Sequence, residues 1–392
     1  MGEPEQEPET EQSTGSRRSG VRIAGRSLLA LVSAVVLALT AIGWIVVDRL
    51  SDVSSTEVLA DVPQAPPADD GATDVLLVGN DSRTDAQGNP LPESVLKQLR
   101  TEAIGGLNTD SLVVIRIPHT SAPPTAVSIP RDTYTAVPGG RSEKINAVYG
   151  LTKSAAADKL RTEGKPQASV EHEAGLAGQR ALVQTVQNLT GIRIDHYAEI
   201  NLLGFYELTE AVGGVDVCLQ QATSDKDSGA DFAAGQHTIS GGDALAFVRQ
   251  RHGLPRGDLD RIVRQQVFMA ALANKVLSTG TLTDPAMIND LVRATQRSVV
   301  LDEDWDPLGF VQRMQELAAG RVTFVTLPVT DTGARDDRGQ SIVNVDPAAA
   351  QRFFGALTAA PPGLVATPRL QLDGTAHRQQ PITSDGSIPC VN

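Results

Sequence analysis

Asp74-Val-Leu-Leu-Val-Gly79-Asn-Asp-Ser-Arg83 sets an unbroken apolar run directly before a polar loop that carries both an acid and a base. A run this short, rich in valine and closed by glycine, predicts a strand buried on both faces. Ser111-Leu-Val-Val-Ile-Arg-Ile117 and Thr125-Ala-Val-Ser-Ile129 read the same way. Helical spacing follows over 178–189, where Leu182, Val183, Val186 and Leu189 share a face, and over 202–212. Between them Ile194 to Ile200 alternates like a strand, and Val215 to Leu219 follows the Gly213-Gly214 turn. Further helices are predicted at 242–250, 261–277, 285–299, 307–319 and 346–358, with a strand over 321–327. Strands and helices intermix, which predicts an α/β domain with a central mixed sheet flanked by helices.

The rest of the chain organises around that domain. Between Arg26 and Asp48 there is no charge, and the twenty residues Leu28–Val47 reach about 30 Å as a helix, the depth of a hydrocarbon core. Residues 27–48 are therefore predicted to cross a membrane. Arg17, Arg18, Arg22 and Arg26 precede the span, which puts the N-terminus in the cytoplasm and the large domain outside. A cleaved signal peptide is the competing reading; the run is longer than the usual h-region of about 7–15 residues and no small-x-small site closes it. Residues 1–26 read as a disordered cytoplasmic tail, 49–73 as a linker marked by Pro63, Pro66 and Pro67, 74–360 as the extracytoplasmic domain, and 361–392 as a Pro/Gly-rich tail.

Lys and Arg total 34 against 47 Asp and Glu, a net charge of -13 that argues against any grip on nucleic acid. Cys218 and Cys390 are too few for a disulfide scaffold, but outside the membrane a bond between them would tether the tail to the domain. His119, His172, His196, His237, His252 and His377 lack ligand spacing, and none is assigned to a metal.

Function concentrates at strand ends in open α/β folds. Here those ends are charged: Asp81 and Arg83, Asn108-Thr-Asp110, Arg131-Asp132, then Lys144-Ile-Asn146. A second basic group comprises Arg249, Arg251, Arg261 and Arg264, with Gln265 beside them. Taken singly, each is equally a solvated loop or a salt-bridged stripe. Together, two carboxylates suit a hard divalent ion such as Mg²⁺, and several arginines suit a diphosphate gripped by bidentate hydrogen bonds.

In these motifs the chain resembles the LytR-CpsA-Psr family of membrane-anchored cell-wall enzymes. The likeness spans roughly 74–277 and rests on Gly79-x-Asp81-x-Arg83, Thr109-Asp110-Ser111, Ile129-Pro-Arg131-Asp132, Lys144-Ile-Asn146, Val215-Asp-Val217, Arg249-x-Arg251 and Asp260-Arg261-x-x-Arg264-Gln265. It implies a phosphotransferase that moves a glycopolymer from a polyprenyl diphosphate carrier to peptidoglycan, forming a phosphodiester and releasing polyprenyl phosphate. By resemblance Asp81 and Asp110 hold Mg²⁺, or Mn²⁺; Arg131, Arg249 and Arg251 hold the diphosphate; Lys144, Arg261, Arg264 and Gln265 surround it; and Arg83 supports. Asp132 or a metal-bound water is the candidate proton acceptor.

Many members carry an arginine two positions before the second aspartate, where this chain has Asn108, so the grip on that side is expected to be lighter or to use another residue. The family fold encloses an apolar tunnel; Leu182, Val186, Leu202, Leu203, Phe205, Leu208 and Phe268 fit either tunnel or core. The motif style points to actinobacterial members and hence to arabinogalactan, with teichoic acid or capsular polysaccharide as alternatives. Related chains often continue into a further C-terminal domain, which the ending Cys390-Val-Asn392 leads us to expect absent. A diphosphatase and a non-catalytic polyprenyl phosphate-binding scaffold are the competing functions. Transcriptional regulation fits neither the topology nor the acidic balance.

Overall fold

The computed structural model describes residues 53–392 apart from 64, 87, 102–106, 121, 256, 279, 281–283, 304, 307–308, 311–312, 315–321, 360–368, 373–374, 379–380 and 385. The span predicted at 27–48 and its flanking tail lie outside the described residues; among the described residues no helix is long and apolar enough to cross a membrane. The helix expected over 307–319 also lies largely outside them.

In chain order the first strands are β1 (Ser54–Thr56), β2 (Ala72–Asn80), β3 (Thr109–Pro118), β4 (Thr125–Ile129), β5 (Thr133–Ala136), β6 (Ser142–Lys144) and β7 (His196–Ile200). Then come β8 (Val215–Leu219), β9 (Thr223–Asp225), β10 (Ala230–Phe232), β11 (Gly235–Ile239), β12 (Val299–Asp302) and β13 (Thr323–Thr326). The last are β14 (Asp331–Arg335), β15 (Ser341–Asn344), β16 (Arg369–Leu372), β17 (Thr375–Arg378), β18 (Ile382–Thr383) and β19 (Cys390–Val391). The helices are α1 (Glu93–Gln98), α2 (Ile145–Thr162), α3 (Gln167–Thr190), α4 (Leu202–Ala211), α5 (Gly241–Arg249), α6 (Asp258–Leu277), α7 (Pro285–Ser298) and α8 (Pro347–Ala359).

The main sheet runs β1-β12-β7-β2-β3-β4-β13-β18 and is mixed: β7 and β2 are parallel, β2-β3-β4 antiparallel, β4 and β13 parallel. The apolar run in β2 sits at its centre because it has two faces to bury. Leu76 and Val78, with Leu112, Val114 and Val127, pack beneath Val148 of α2, Leu182 and Val186 of α3 and Phe354 of α8. Val75 and Leu77, with Val113 and Ile115, face Met269, Ala270 and Ala273 of α6. The α2/α3 pair approaches closely at Gly178, where an added Cβ would come within 2.8 Å of the Tyr149 carbonyl oxygen.

Two segments read as connector or tail supply structure instead. Ser54–Thr56, from the expected linker, forms the parallel edge strand beside β12. Polar Ser-Ser-Thr carries no apolar alternation, and an edge strand needs only backbone pairing and one buried side chain, here Thr56. From the expected tail, β18 closes the other edge against β13, and β19 lies parallel to β8 with Cys390 paired to Cys218, where a disulfide joins them. Helix α2 and the N-terminal half of α3 also exceed the predicted elements. Their Lys, Glu and Ala content leaves only a sparse apolar stripe, which tertiary packing completes.

Candidate functional site

The site forms where β2 and β3 end together. A register shift at Gly79/Asn80 turns the chain out of the sheet, and the Asp81 N–H donates to the Asn108 carbonyl at 3.0 Å. That bond sets Asp81 near Asp110. β4 pairs Ile129 with Leu112, so Arg131 emerges beside the start of β3 and donates to the Asp110 carboxylate at 2.8 Å. Arg83 folds back onto the Asp81 carboxylate and donates to its carbonyl at 2.5 Å. Asp132 lies between Lys144 Nζ at 3.1 Å and Arg131 Nε at 3.8 Å.

The second basic group arrives from α5 and α6. Arg249 closes α5 and is half-buried; burial pulls its guanidinium below its ordinary value, Arg83 and Arg251 add to that pull, and Asp81 and Asp110 oppose it. Gln265 donates to the Val248 carbonyl at 3.2 Å and ties the start of α6 to the end of α5. Arg251 is presented by Asp225, whose carboxylate accepts the backbone N–H groups of Arg251 at 3.1 Å, His252 at 3.3 Å and Asp227 at 3.0 Å and the Ser228 hydroxyl at 3.0 Å. Burial acts to raise that carboxyl, and these four donors outweigh it and hold it below its ordinary range. The ligand atoms of Asp225, Asp227 and His252 lie within 4.8 Å of one another, but the carboxylate of Asp225 is already taken up by the loop.

Behind these charges lies a cavity of about 570 Å³ between sheet and helices. Leu77, Val113 and Ala198 form its sheet wall, and Phe205, Leu208, Phe268 and Leu272 its helical wall. Asp81, Asp110, Arg249, Arg251, Arg261 and Gln265 line the same cavity. Of the apolar candidates, Leu202, Phe205, Leu208 and Phe268 line it, whereas Leu182 and Val186 belong to the core on the opposite face and Leu203 packs with Leu96 and Leu99 of the α1 region.

Arg264 departs from its expected place in the diphosphate shell. It is fully buried beneath Phe247, with its guanidinium carbon 5.1 Å from the ring centroid, and donates to the Gln250 side chain at 2.6 Å and to the Asn392 carbonyl. Burial lowers it to about 10 against the opposing pull of Asp260. It does not line the cavity that Arg261 lines, and its donors go instead to Gln250 and Asn392.

Two contributors escaped the motif reading, Asp225 and Glu199. Glu199 accepts from Tyr197 Oη at 2.6 Å, Gln179 Nε2 at 2.9 Å and Asn80 Nδ2, and the other end of Asn80 accepts the Ser82 N–H at 2.9 Å. The buried acid thus anchors the Asp81 loop. Its signal was a glutamate on a strand, two residues from Tyr197 and therefore on the same face.

Asp81 and Asp110 offer hard oxygen donors, the type a hard divalent ion takes, at the cavity mouth, with side chains 21% and 35% exposed and each paired with an arginine. The donor chemistry fits Mg²⁺.

The LytR_cpsA_psr family model matches residues 48–358. The chain is 49% identical over 333 residues to the cell wall biosynthesis protein LcpA of Corynebacterium glutamicum, covering 84% of this chain and 64% of that one. It is 31% identical over 240 residues to the polyisoprenyl-teichoic acid–peptidoglycan teichoic acid transferase TagU of Bacillus anthracis, covering 61% and 63% respectively. The chain therefore spans a little under two thirds of the length of these two relatives. Its fold is that of the LytR-Csp2A-Psr enzyme from Actinomyces oris (TM-score 0.53, 18% identity, 78% and 96% of the two chains) and of B. subtilis TagV (0.52, 21%, 75% and 100%). With the motifs, the mixed sheet and the match over most of its length in agreement, the chain belongs to the LytR_cpsA_psr family.

Proposed function

We propose that the protein is a phosphotransferase that moves a glycopolymer from a polyprenyl diphosphate carrier to a hydroxyl of peptidoglycan, anchored in the cell membrane by residues 27–48 with its domain outside. The observation that carries this reading is one cavity with two chemistries, an apolar interior of isoprenoid character and a mouth lined by arginines and carboxylates. Arg249, Arg251 and Arg261 line the cavity, and Arg83, Arg131 and Lys144 stand at the same strand ends, so a diphosphate has several guanidinium groups within one mouth to engage.

Arg249 and Arg251 clamp the diphosphate from the helical side, and Arg131 is poised to share its guanidinium between Asp110 and a phosphate oxygen. Arg261 and Gln265, at the start of α6, add donors and the positive end of a helix. Asp132, already engaged by Lys144 and Arg131, is assigned to holding those two cations rather than to taking a proton. Held by Asp81 and Asp110, Mg²⁺ or Mn²⁺ would supply electrophilic polarisation of the diphosphate. The acceptor oxygen forms a bond to the sugar-bearing phosphorus, the bridging P–O bond to polyprenyl phosphate breaks, and the hydroxyl proton passes to solvent. Arabinogalactan is the polymer assigned on the motif style, and the lower identity to the teichoic acid transferase TagU, 31% against 49% to the cell wall biosynthesis protein LcpA, weighs against teichoic acid.

The test uses the full chain in detergent with a polyprenyl-diphosphate-linked oligosaccharide, a peptidoglycan fragment and Mg²⁺, products being followed by mass spectrometry. A phosphodiester-linked product that disappears with Arg131→Ala or with chelator is expected. Carrier binding with no transfer to any acceptor would overturn it in favour of a scaffold, and release of polyprenyl phosphate without acceptor would make the protein a diphosphatase.

A further inference from the structure

Between the two arginines of Arg249-x-Arg251 stands Gln250, the one residue of the three that is fully buried. Helix α5 ends at Arg249; had it continued, Arg251 would have turned about 200° away from Arg249. Instead Gln250 takes an extended backbone, with φ -55° and ψ 133°. Successive side chains then alternate, so both arginines line the cavity and the residue between them turns into the protein.

The buried amide is used at both ends, and its partners fix which end is which. Oε1 accepts from Arg264 at 2.6 Å, and a guanidinium can only donate. Nε2 donates to the His252 carbonyl at 2.9 Å, which can only accept, and to the Thr223 hydroxyl of β9. A flipped amide would set donor against donor and acceptor against acceptor. The two ends serve different structures. Oε1 belongs with the packing around Arg264, Phe247 and Asn392. Nε2 closes a ring over Arg251, from the side chain before it to the carbonyl after it. From β9, Asp225 takes the N–H groups of Arg251 and His252. Asp225 thus fixes where Arg251 begins, and Gln250 fixes how the chain leaves it.

We infer that Gln250 is a positioning residue for diphosphate recognition, its Nε2 holding the Arg251 loop so that Arg249 and Arg251 meet an anion from the same side. The inference deepens the proposed function and rests on it. A loop held in this way loses little backbone freedom when its ligand arrives, and that loss is the usual cost of binding through a loop. The division of labour within the amide also means that removing Arg264 leaves the two Nε2 bonds in place.

Gln250→Glu separates the two ends. It keeps the volume and an acceptor for Arg264 but sets an acceptor against the His252 carbonyl. Gln250→Met has a similar volume, carries no charge and loses both ends. Each is made in the unaltered chain and in Arg251→Ala. Farnesyl diphosphate and farnesol binding are measured calorimetrically on the full chain in detergent, below the melting temperature of each variant.

Both substitutions should weaken farnesyl diphosphate about tenfold or more and leave farnesol affinity unchanged. In the Arg251→Ala background either should cost less than about twofold more, because Gln250 acts through Arg251. Should Gln250→Met fail to fold, the cycle with Gln250→Glu decides alone. Unaltered diphosphate affinity in both variants, a loss with glutamate but not methionine, farnesol weakened in step with the diphosphate, or a loss undiminished when Arg251 is already alanine would each overturn the positioning role and leave the proposed function standing. Failure of farnesyl diphosphate to bind the unaltered chain would instead remove the proposed function, and the positioning role with it.

Discussion

Replacing Arg264 by methionine should unfold the protein more readily without touching diphosphate recognition, whereas replacing Arg251 by alanine should do the reverse. Arg264 is fully buried and makes two hydrogen bonds to acceptors and one ring contact. Methionine fills a similar volume but leaves the Gln250 oxygen and the Asn392 carbonyl without that donor. A buried acceptor left unsatisfied costs about 1–3 kcal/mol, and a desolvated cation–π contact is worth about 2 kcal/mol. Part is recovered because a buried cation no longer has to be desolvated. The net expectation is roughly 3–5 kcal/mol, a fall in Tm on the order of 4–7 °C for a domain of this size. Arg251 is exposed, and its side chain enters none of the hydrogen bonds that hold its loop, which use its backbone. Arg251→Ala should therefore move stability by no more than about 0.5 kcal/mol. The assay is thermal unfolding of both variants beside farnesyl diphosphate titration. An Arg264→Met protein that melts with the unaltered chain yet loses diphosphate affinity as Arg251→Ala does would refute the assignment of Arg264 to the fold.

Three further outcomes are expected. Separating Cys218 from Cys390 by Cys390→Ser releases a crosslink between residues 172 apart and should cost about 2–5 kcal/mol, read as a lower midpoint in denaturant with the unaltered chain under reducing conditions matching the variant. Asp74 is raised to about 7, chiefly by burial and against the pull of Arg116, so the folded chain binds more protons than the unfolded one across that window. Stability from this group is fully present below about pH 4 and is lost as pH rises through about 7. Asp74→Asn should flatten that slope in a pH series of denaturation curves, and an unchanged slope would exclude Asp74 as its source. Asp110→Asn should reduce transfer by at least about a hundredfold, weaken Mn²⁺ binding followed by electron paramagnetic resonance, and leave farnesyl diphosphate binding in chelator nearly intact; equal Mn²⁺ affinity in both proteins would remove Asp110 as a ligand.

The centre of the fold was legible because its physics is local. Asp74–Gly79 is apolar at every interior position, and only a strand with helices on both sides can bury it. The charged residues at the strand ends were legible as a group for the same reason, since a sheet that fixes β2, β3 and β4 brings their ends together. Arg261 and Arg264 could not be told apart from sequence. Both are arginines in the first turns of one helix, and which faces the cavity depends on how α6 settles on the sheet and on Asn392, more than a hundred residues away. The edge strand at Ser54–Thr56 was hidden because backbone pairing leaves no mark on side-chain pattern, and α2 because its stripe is completed only by α3.

The ion pairs Arg83–Asp81 and Arg131–Asp110 give the site an internal competitor. An incoming anion that engages Arg83 and Arg131 must displace a carboxylate from each. Partly exposed pairs of this kind are worth up to about 1 kcal/mol each, so together they hold back a bare headgroup by roughly thirtyfold. Burying a single isoprenoid unit, at about 0.8 kcal/mol per carbon, more than reverses that handicap. On the proposed function, free inorganic diphosphate and phosphate, which bring no tail, would then compete poorly at the mouth of the cavity with an anion that carries an apolar chain.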